Sequence, residues 1–370
     1  MKNTKLIVKT KSKSYPIYFG NDILKITGRL IKKSLPGVKK ICIISDNKLP
    51  KLLIKKLIKS LIKYELKVYK LPANEKTKSL KIANKIIEQL LKSNFNRSDC
   101  IIALGGGVLG DLSAFISNLT KRGLKFINIP TTLLAQVDAS IGGKTGINSV
   151  QGKNLIGTYY QPDFILSDIS ILKSLPQKEM ISGYGEILKH SLIFDKKFFL
   201  WLSKNGKKII NRKNNVFLKK AIVKSCKIKC KIVNKDEKEK DLRMILNFGH
   251  TFAHGFESAK NFSKKLTHGK AVLLGMMIAS ELSNKKKQLS LEELLLIKKH
   301  YLSLKLPMNI SKIFKKKELN KIIYFMKKDK KNIDEKINLI LLNKIGKTAK
   351  PKKISLNGNE IKKILNSYYL

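Results

Sequence analysis

The stretch CIIALGGGVLGDLSAFISNLTKRG, residues 100–123, decides the fold. It starts with an apolar run, continues through three contiguous glycines to Gly110 and Asp111, and ends in a mainly apolar segment of helical length. This order predicts a buried strand, a tight turn and a helix. Backbone amides and the dipole at the start of such a helix suit a pyrophosphate. Because the glycines are contiguous, unlike the G-x-G-x-x-G dinucleotide pattern, a purely structural turn is the alternative.

The segments on both sides of this stretch continue the alternation of strands and helices. Residues 38–46 predict a strand, and residues 66–75 predict a strand that leads into a loop. Residues 78–94 carry apolar side chains at a helical period, and residues 125–132 predict another strand that ends in a turn. Strands that alternate with helices indicate a parallel sheet covered by helices. We therefore predict an α/β domain with a Rossmann-like parallel sheet.

The pattern changes at residue 171 and is almost wholly helical from there to residue 330. We predict two domains, an α/β NAD-binding domain over residues 1–170 and an α-helical domain for metal and substrate over residues 171–370. Two domains of this size are ordinary for a chain of 370 residues. Ligands are expected in the cleft between them.

The formal net charge of +51 suggests a nucleic-acid-binding protein at first sight. Only five of the 77 basic residues are arginine, although surfaces that read phosphates and bases favour its bidentate fork. The lysines are spread over the whole chain among Ile and Asn, which indicates a bias of genomic base composition. We predict no specific nucleic-acid partner, but a surface that attracts anionic ligands and does so less at high salt.

The four cysteines, Cys42, Cys100, Cys226 and Cys230, do not form a disulfide framework in a chain of this length. Free buried thiols are the preferred interpretation. No apolar run reaches the ~18–20 residues of a membrane span, and the first residues lack a secretory h-region. We expect a cytoplasmic protein with no membrane partner.

The stretch LNFGHTFAHGFE, residues 246–257, places His250 and His254 four residues apart in a chain with five histidines. This spacing puts both on one helix face. Zinc proteases use the same spacing but with a glutamate directly after the first histidine, where this chain has Thr251. A metal site, a catalytic pair and two packed histidines are therefore the alternatives.

The segment IPTTLLAQVDASIGGKTGINSVQGKNLIGTYYQP, residues 129–162, combines many glycines with polar side chains. Glycines let the backbone approach a ligand, and lysine and asparagine donate to phosphate, carboxylate and hydroxyl oxygens. The polar side chains of interest are Thr131, Thr132, Asp138, Lys144, Asn148, Lys153 and Asn154.

Six motifs resemble, in order, the signatures of the 3-dehydroquinate synthase family of sugar phosphate cyclases. They are GGGVLGD, IPTTLLAQVDASIGGKTGIN, GKNLIG, LPQKEMISGYGEILKHSLI, DEKEKDLRMILNFGHTFAHGFE and LTHGKAV. The resemblance covers the chain nearly end to end. It implies a lyase of the shikimate pathway, in aromatic amino acid biosynthesis. Such an enzyme uses NAD and one divalent metal per subunit to convert 3-deoxy-D-arabino-heptulosonate 7-phosphate to 3-dehydroquinate and phosphate.

The implied reaction oxidises the substrate transiently, eliminates phosphate, returns the hydride and closes the ring by an intramolecular aldol step, so NAD is regenerated. The resemblance divides the histidine pair between two roles. It implies that Glu186, His250 and His268 bind the metal, for which two imidazoles and a carboxylate suit zinc or cobalt. His254 would transfer a proton.

The resemblance also implies the remaining site residues. Further catalytic roles fall on Lys144, Asp138, Lys189, Glu239 and Asn247. Substrate contacts fall on Arg122, Lys144, Lys153, Asn154, Lys189, Lys229, Arg243, Asn247 and Lys330, with Lys331 as the alternative to Lys330. NAD contacts fall on Asp46, Glu75, Lys78, Gly106, Gly107, Val108, Asp111, Thr131, Thr132, Ile171 and Ser174. Arg122 would reach the neighbouring active site of a homodimer.

This chain departs from the family pattern near the adenosine end. An asparagine follows Asp46 directly instead of two residues later, and Asn74 stands where glycine is common. The alternatives in function are a related cyclase whose substrate lacks the carboxylate and a metal-dependent polyol-phosphate or glycerol-phosphate dehydrogenase. The dehydrogenase would form NADH and release no phosphate. Arg243 and the DEKE segment favour the synthase.

Overall fold

The computed structural model describes residues 4–212, 214–261, 263, 266–328 and 336–369. The chain divides into two compact units, Met1–Pro176 with Leu218–Glu237, and Gln177–Phe217 with Lys238–Leu370. The first unit thus takes in a helical segment that lies far beyond the glycine-rich region in sequence. The boundary between two domains at residues 170 and 171 remains a prediction from the sequence.

The first unit is built around a seven-stranded sheet with the strand order β1-β2-β9-β6-β5-β3-β4. Strand β1 pairs antiparallel with β2, and every other pair in this sheet is parallel. Strands β7 and β8 form a separate antiparallel hairpin. The strands are β1 (Thr4–Lys9), β2 (Ser14–Gly20), β3 (Lys40–Asp46), β4 (Glu65–Leu71), β5 (Cys100–Gly105), β6 (Lys125–Pro130), β7 (Lys144–Ser149), β8 (Gly152–Tyr159) and β9 (Phe164–Asp168).

The helices of this α/β part are α1 (Thr27–Ser34), α2 (Lys51–Ser60), α3 (Leu80–Lys92) and α4 (Gly107–Leu119). The strand, turn and helix predicted over residues 100–123 are confirmed by β5 and α4. Every residue of β5 is buried, with Cys100, Ile102 and Leu104 in one core cluster, Ile101 in a second and Ala103 in a third. A strand that is covered on both faces explains the continuous apolar run CIIAL.

The chain leaves the centre of the sheet in two directions. It passes from β3 through α2 to β4 on one side, whereas β5 leads through α4 to β6 on the other. Neighbouring β3 and β5 therefore flank the topological switch point, outside which open α/β sheets bind their ligands. Asp46 ends β3 and Gly105 ends β5 at this edge.

The rest of the chain is mainly helical. Its helices are α5 (Gln177–Phe194), α6 (Lys196–Ile210), α7 (Asn215–Lys235), α8 (His250–Ala259), α9 (His268–Lys285), α10 (Leu291–Ser303), α11 (Leu319–Lys327) and α12 (Gly358–Asn366). Most of α7 belongs to the first unit. Short strands form two antiparallel pairs, β10 (Ile337–Leu339) with β13 (Ile354–Leu356) and β11 (Leu342–Lys344) with β12 (Lys347–Thr348). Within the described ranges, none of the helices has the length and apolar character to span a membrane.

Candidate active site

The glycine turn, Gly105 to Gly107, connects β5 to α4 in the first unit. Gly106 is the N-cap of α4, and the amide of Thr131 donates to the Gly105 carbonyl at 2.9 Å. A Cβ on Gly106 would lie 3.2 Å from Cγ2 of Thr132. The turn therefore lies close to both predicted threonines, and its amides, with Val108 in the first helical turn, are placed to bind an anion.

An ion pair between buried Lys78 and partly buried Asp111 lies beside the glycine turn. Lys78, which is 3% exposed, places Nζ 2.7 Å from Oδ2 of Asp111 and 2.5 Å from Oδ1 of Asn154. Burial raises the pKa of Asp111 and outweighs the opposite effect of Lys78. The pair therefore joins three predicted contact residues and fixes the first turns of α4 to the β7–β8 hairpin.

A second pair connects the same hairpin to the loop after β4. Lys153 Nζ lies 3.0 Å from Oε1 of Glu75, and Nδ2 of Asn148 donates to Oε2 of Glu75 at 2.8 Å. Burial would raise the pKa of Glu75, but Lys153 and Asn148 lower it overall. The structure thus brings Glu75 and Lys153, predicted for cofactor and substrate respectively, into direct contact.

The remaining cofactor candidates lie at other carboxyl ends of the sheet. Asp46 accepts from the amide of Lys48 at 2.9 Å. After β9, a short 3₁₀ helix, Ile169–Ser174, buries Ile171 and carries Ser174, whose hydroxyl donates to the Ile171 carbonyl at 3.2 Å. These side chains belong to the same edge of the sheet as the glycine turn, as expected for a doubly wound fold.

Asp138 lies in a π-helical turn, Ala135–Ala139. Such turns are rare in proteins as a whole, but they occur frequently at functional sites. Lys229 reaches it from α7 and places Nζ 2.6 Å from both its backbone oxygen and Oδ1. Lys229 is 5% exposed. Lys229, which is predicted to bind substrate, therefore also fixes the orientation of Asp138, whose carboxylate is predicted to be catalytic. Lys144 begins β7, where it lines a small recess with Asp111 and Asn128.

Arg122 is exposed on a turn with unusual backbone geometry. Lys121 and Arg122 both have left-handed φ values, 51° and 61°, and Gly123 follows with φ 119°. Nε of Arg97 donates to the Lys121 carbonyl at 3.0 Å. Left-handed conformations in residues other than glycine are strained and often functional. The turn therefore presents Arg122 outward from the first unit.

The metal cluster, Glu186, His250 and His268, lies in the second unit. Glu186 is on α5, and the two histidines are the first residues of α8 and α9. Oε1 of Glu186 is 3.5 Å from Nε2 of His250 and 3.8 Å from Nε2 of His268. One ligand atom from each residue lies within 4.8 Å of the others. The structure therefore brings the three predicted ligands together.

The chemistry of the metal cluster fits a divalent cation. Glu186 is fully buried, and among the described residues neither of its oxygens has a hydrogen-bond partner of good geometry, although Lys189 makes an ion-pair contact. Burial would raise the pKa of Glu186, but Lys189 and His250 hold it well below its usual range. A buried carboxylate with two imidazoles matches the donor set of a catalytic zinc site.

The pKa values of the two imidazoles shift in opposite directions. Burial and Lys189 hold the pKa of His250 well below its usual range, so this imidazole is neutral, as a ligand must be. Burial would lower the pKa of His268, but Glu257 and Glu186 raise it to about 10. The carboxylates on either side of His268 therefore favour positive charge at this point.

Two close contacts at glycines let the three ligand helices approach each other. A Cβ on Gly275 of α9 would lie 2.1 Å from the carbonyl oxygen of Gly249, which has φ 78° and is the N-cap of α8. A Cβ on Gly269 would lie 2.2 Å from Cα of Ser182 on α5. Side chains at these points would separate the helices and with them the ligands.

Other predicted residues lie near the metal cluster in sequence or space. The ring centroids of His250 and His254 are 5.7 Å apart, which places the candidate proton-transfer group beside a ligand. Nδ2 of Asn247 donates to Oε1 of Glu239 at 2.7 Å, and Arg243 is buried in the same 3₁₀ helix as Asn247. Lys330 and Lys331 lie outside the described residues. Glu257, which contacts His268 and lies seven residues after His250, is not among the residues predicted from the sequence.

Two solved structures share this fold over almost their whole length. The structure of 2-deoxy-scyllo-inosose synthase complexed with carbaglucose-6-phosphate, NAD+ and Co2+ has a TM-score of 0.85 at 24% identity, covering 98% of this chain and 99% of that one. The 2-epi-5-epi-valiolone synthase of Streptomyces hygroscopicus subsp. jinggangensis 5008, with NAD+ and Zn2+ bound, has a TM-score of 0.85 at 24% identity, covering 97% and 98%. The fold is that of the sugar phosphate cyclases.

Sequence comparison defines the family. The 3-dehydroquinate synthase N-terminal family matches residues 68–182, and the 3-dehydroquinate synthase C-terminal family matches residues 183–332. A 3-dehydroquinate synthase from Pelagibacter ubique (strain HTCC1062) is 52% identical over 342 residues, which are 92% of this chain and 93% of the relative. The chain therefore belongs to the 3-dehydroquinate synthase family, and the prediction from its motifs is confirmed.

Proposed function

We propose that the protein converts 3-deoxy-D-arabino-heptulosonate 7-phosphate to 3-dehydroquinate and phosphate, as an NAD- and metal-dependent phosphorus–oxygen lyase. The observation that carries this proposal is the metal cluster around the buried Glu186 carboxylate in a chain of this family. When bound, NAD accepts a hydride from the substrate and returns it, and the metal polarises the hydroxyl that is oxidised. The side chains of the protein would hold the metal, NAD and the substrate, orient the substrate hydroxyls and move protons.

The second unit contributes the metal ligands and a proton carrier. Glu186, His250 and His268 would hold zinc or cobalt, both of which suit this donor set. His254 would move a proton, because its ring lies next to that of His250 on the same helix. Lys189, buried beside Glu186, would orient a substrate hydroxyl. We assign Arg243 and Asn247 to substrate contacts, with Glu239 holding the amide of Asn247.

The first unit contributes NAD binding at the switch point of its sheet. The amides of Gly106, Gly107 and Val108 suit the pyrophosphate, and Thr131 and Thr132 lie against the turn. The other proposed NAD contacts are Asp46, Glu75, Lys78, Asp111, Ile171 and Ser174. Donors for the anionic groups of the substrate would be Lys144, Lys153, Asn154 and Lys229, and Asp138 would orient a hydroxyl.

The test is phosphate release from 3-deoxy-D-arabino-heptulosonate 7-phosphate by the purified protein with catalytic amounts of NAD. We expect phosphate in proportion to substrate consumed, no net NADH, loss of the reaction with a chelator and recovery with zinc or cobalt. No phosphate from folded, metal-loaded protein would refute the substrate assignment.

Two outcomes would favour the alternatives. Phosphate release from a related sugar phosphate, with none from the heptulosonate, would indicate another cyclase of the same fold. Net NADH formation without phosphate release would indicate a metal-dependent polyol-phosphate dehydrogenase. Both can be read in the same assay, because absorbance follows NADH while phosphate is measured separately.

We further propose a homodimer in which Arg122 reaches the neighbouring active site. The support is its outward position on a strained turn held by Arg97. Arginine on such a turn can bind a phosphate in a bidentate manner. The expected cytoplasmic location belongs to the same proposal, and the four free, buried cysteines are consistent with a reducing compartment.

Mixing two inactive variants tests the role of Arg122. Arg122→Ala would lack the arginine and His250→Ala would lack a metal ligand, so each homodimer should be nearly inactive. In a mixed dimer, one site would keep its metal ligands and receive Arg122 from the other subunit. Random subunit exchange should then restore about one quarter of wild-type activity. An exchanged mixture with no recovered activity would refute the cross-subunit role.

A further inference from the structure

We propose that Glu257 is a positioning residue of the metal cluster, which holds His268 in the orientation that directs its Nε2 at the metal. The inference rests on the proposed function, since it assumes that the cluster binds a divalent cation. Glu257 is not one of the ligands, and none of its oxygens belongs to the group of ligand atoms around Glu186.

The geometry of Glu257 fits this role. It lies on α8, seven residues after His250, so that two turns of one helix supply both a ligand and the partner of another ligand. Its Oε2 is 3.1 Å from Nδ1 of His268, and only 10% of its side chain is exposed. The Glu257 carboxylate on α8 therefore contacts the first residue of α9 and fixes the imidazole ring of His268 at Nδ1.

An imidazole needs such a partner because either nitrogen can carry the proton. An acceptor at Nδ1 selects the tautomer with the proton on that atom and leaves the Nε2 lone pair for a metal. Nε2 of His268 accordingly faces Oε1 of Glu186, at 3.8 Å. A carboxylate acceptor also makes the ligand more basic, which strengthens its bond to the metal.

The other histidine ligand does not depend on a side chain. Nδ1 of His250 lies 3.3 Å from the backbone oxygen of Phe248, which no substitution removes directly. The orientation of His250 is thus set by the chain just before α8, whereas that of His268 depends on one carboxylate. A single substitution at Glu257 therefore removes the side-chain partner of His268 while leaving all three ligands in place.

The experiment compares Glu257→Ala, Glu257→Gln and wild type as metal-free, full-length proteins. Zinc affinity is measured by competition with a chromophoric chelator, and the visible spectrum of the cobalt-loaded protein reports the ligand geometry. Glu257→Ala should bind zinc about 10- to 100-fold more weakly. Glu257→Gln should fall between it and wild type, because the amide oxygen can still accept from Nδ1. The cobalt bands should shift in Glu257→Ala.

Glu293→Gln is the matched control, because Glu293 is also a buried carboxylate of the second unit and accepts from Lys196 and the Ile345 amide. It should bind zinc as wild type does. Equal zinc affinity in wild type and Glu257→Ala would overturn the inference, and so would a loss that Glu293→Gln reproduces. If wild type releases phosphate and binds zinc, such a result leaves the proposed function standing. Wild type that binds neither zinc nor cobalt would overturn both.

Discussion

The glycine turn of the first unit consists of backbone groups, whereas the metal cluster of the second consists of side chains. The turn uses backbone amides at the end of one strand and the start of the next helix, so a continuous stretch of sequence specifies it. The metal cluster uses side chains from three helices whose sequence positions lie far apart. A backbone site follows from local order along the chain, whereas a side-chain site requires the helices to pack at fixed distances.

The largest effect should come from a substitution that separates helices α8 and α9. Gly275→Ala places a Cβ where the Gly249 carbonyl oxygen is 2.1 Å away, and this oxygen belongs to the backbone just before His250. Overpacking of this kind should lower the free energy of unfolding by about 3 kcal/mol. Because α8 and α9 must separate, zinc content should fall while NAD binding to the first unit is retained. Urea unfolding, metal analysis and NAD titration measure the three quantities.

The control for Gly275→Ala is the same substitution at Gly37. A Cβ there would meet only Cβ of Ser98 at 3.5 Å, an ordinary contact, so zinc content and stability should stay near wild type. A Gly275→Ala protein that keeps its zinc and its unfolding free energy would show that the cluster does not depend on this close approach.

A smaller effect is expected at the glycine turn of the first unit. Lys78→Ala removes the partner of Asp111 and leaves a partly buried carboxylate beside the glycine turn without its cation. The dissociation constant for NAD should rise roughly tenfold, as expected for one lost charge-assisted contact of about 1.4 kcal/mol. Zinc content should not change. Isothermal titration with NAD and metal analysis of the same sample test both statements.

Lys81→Ala provides the control, because Lys81 is exposed on the next helix and carries the same charge. It should bind NAD as wild type does at physiological salt. If both lysine variants weaken NAD binding equally, the effect is a general one of the positive surface, and Lys78 has no specific role at the turn.

The same contrast explains which features were predictable from sequence. The β5–α4 unit was predictable because an apolar run, contiguous glycines and a helix follow each other directly. The π-helical turn around Asp138 was not, since no local pattern marks an inserted residue in a helix. The contact of Gly275 with Gly249 was not predictable either, because it arises only when α8 and α9 meet. Glu257 could have been found, since its spacing of seven from His250 places both on one helix face.

The smallest effect concerns a histidine of the second unit outside the metal cluster. His300 is 2% exposed, and its Nε2 lies 3.0 Å from the hydroxyl of Tyr184. Burial lowers its pKa to about 4, whereas carboxylates raise that of His268. The pKa values of these two histidines of the second unit therefore shift in opposite directions, because two carboxylates contact His268.

The expected result is a pH-dependent difference in stability between wild type and His300→Gln, whose amide keeps a polar partner for Tyr184. The unfolded chain binds a proton on His300 near pH 6.5, but the folded chain does so only near pH 4, so wild-type stability falls as the pH falls through this interval. Between pH 7 and 5.5 the wild type should lose on the order of 1 kcal/mol more than the variant. Urea unfolding of the metal-free proteins measures this. Above pH 7 the two curves should run parallel, and parallel curves down to pH 5 would show that the fold does not lower the pKa of His300.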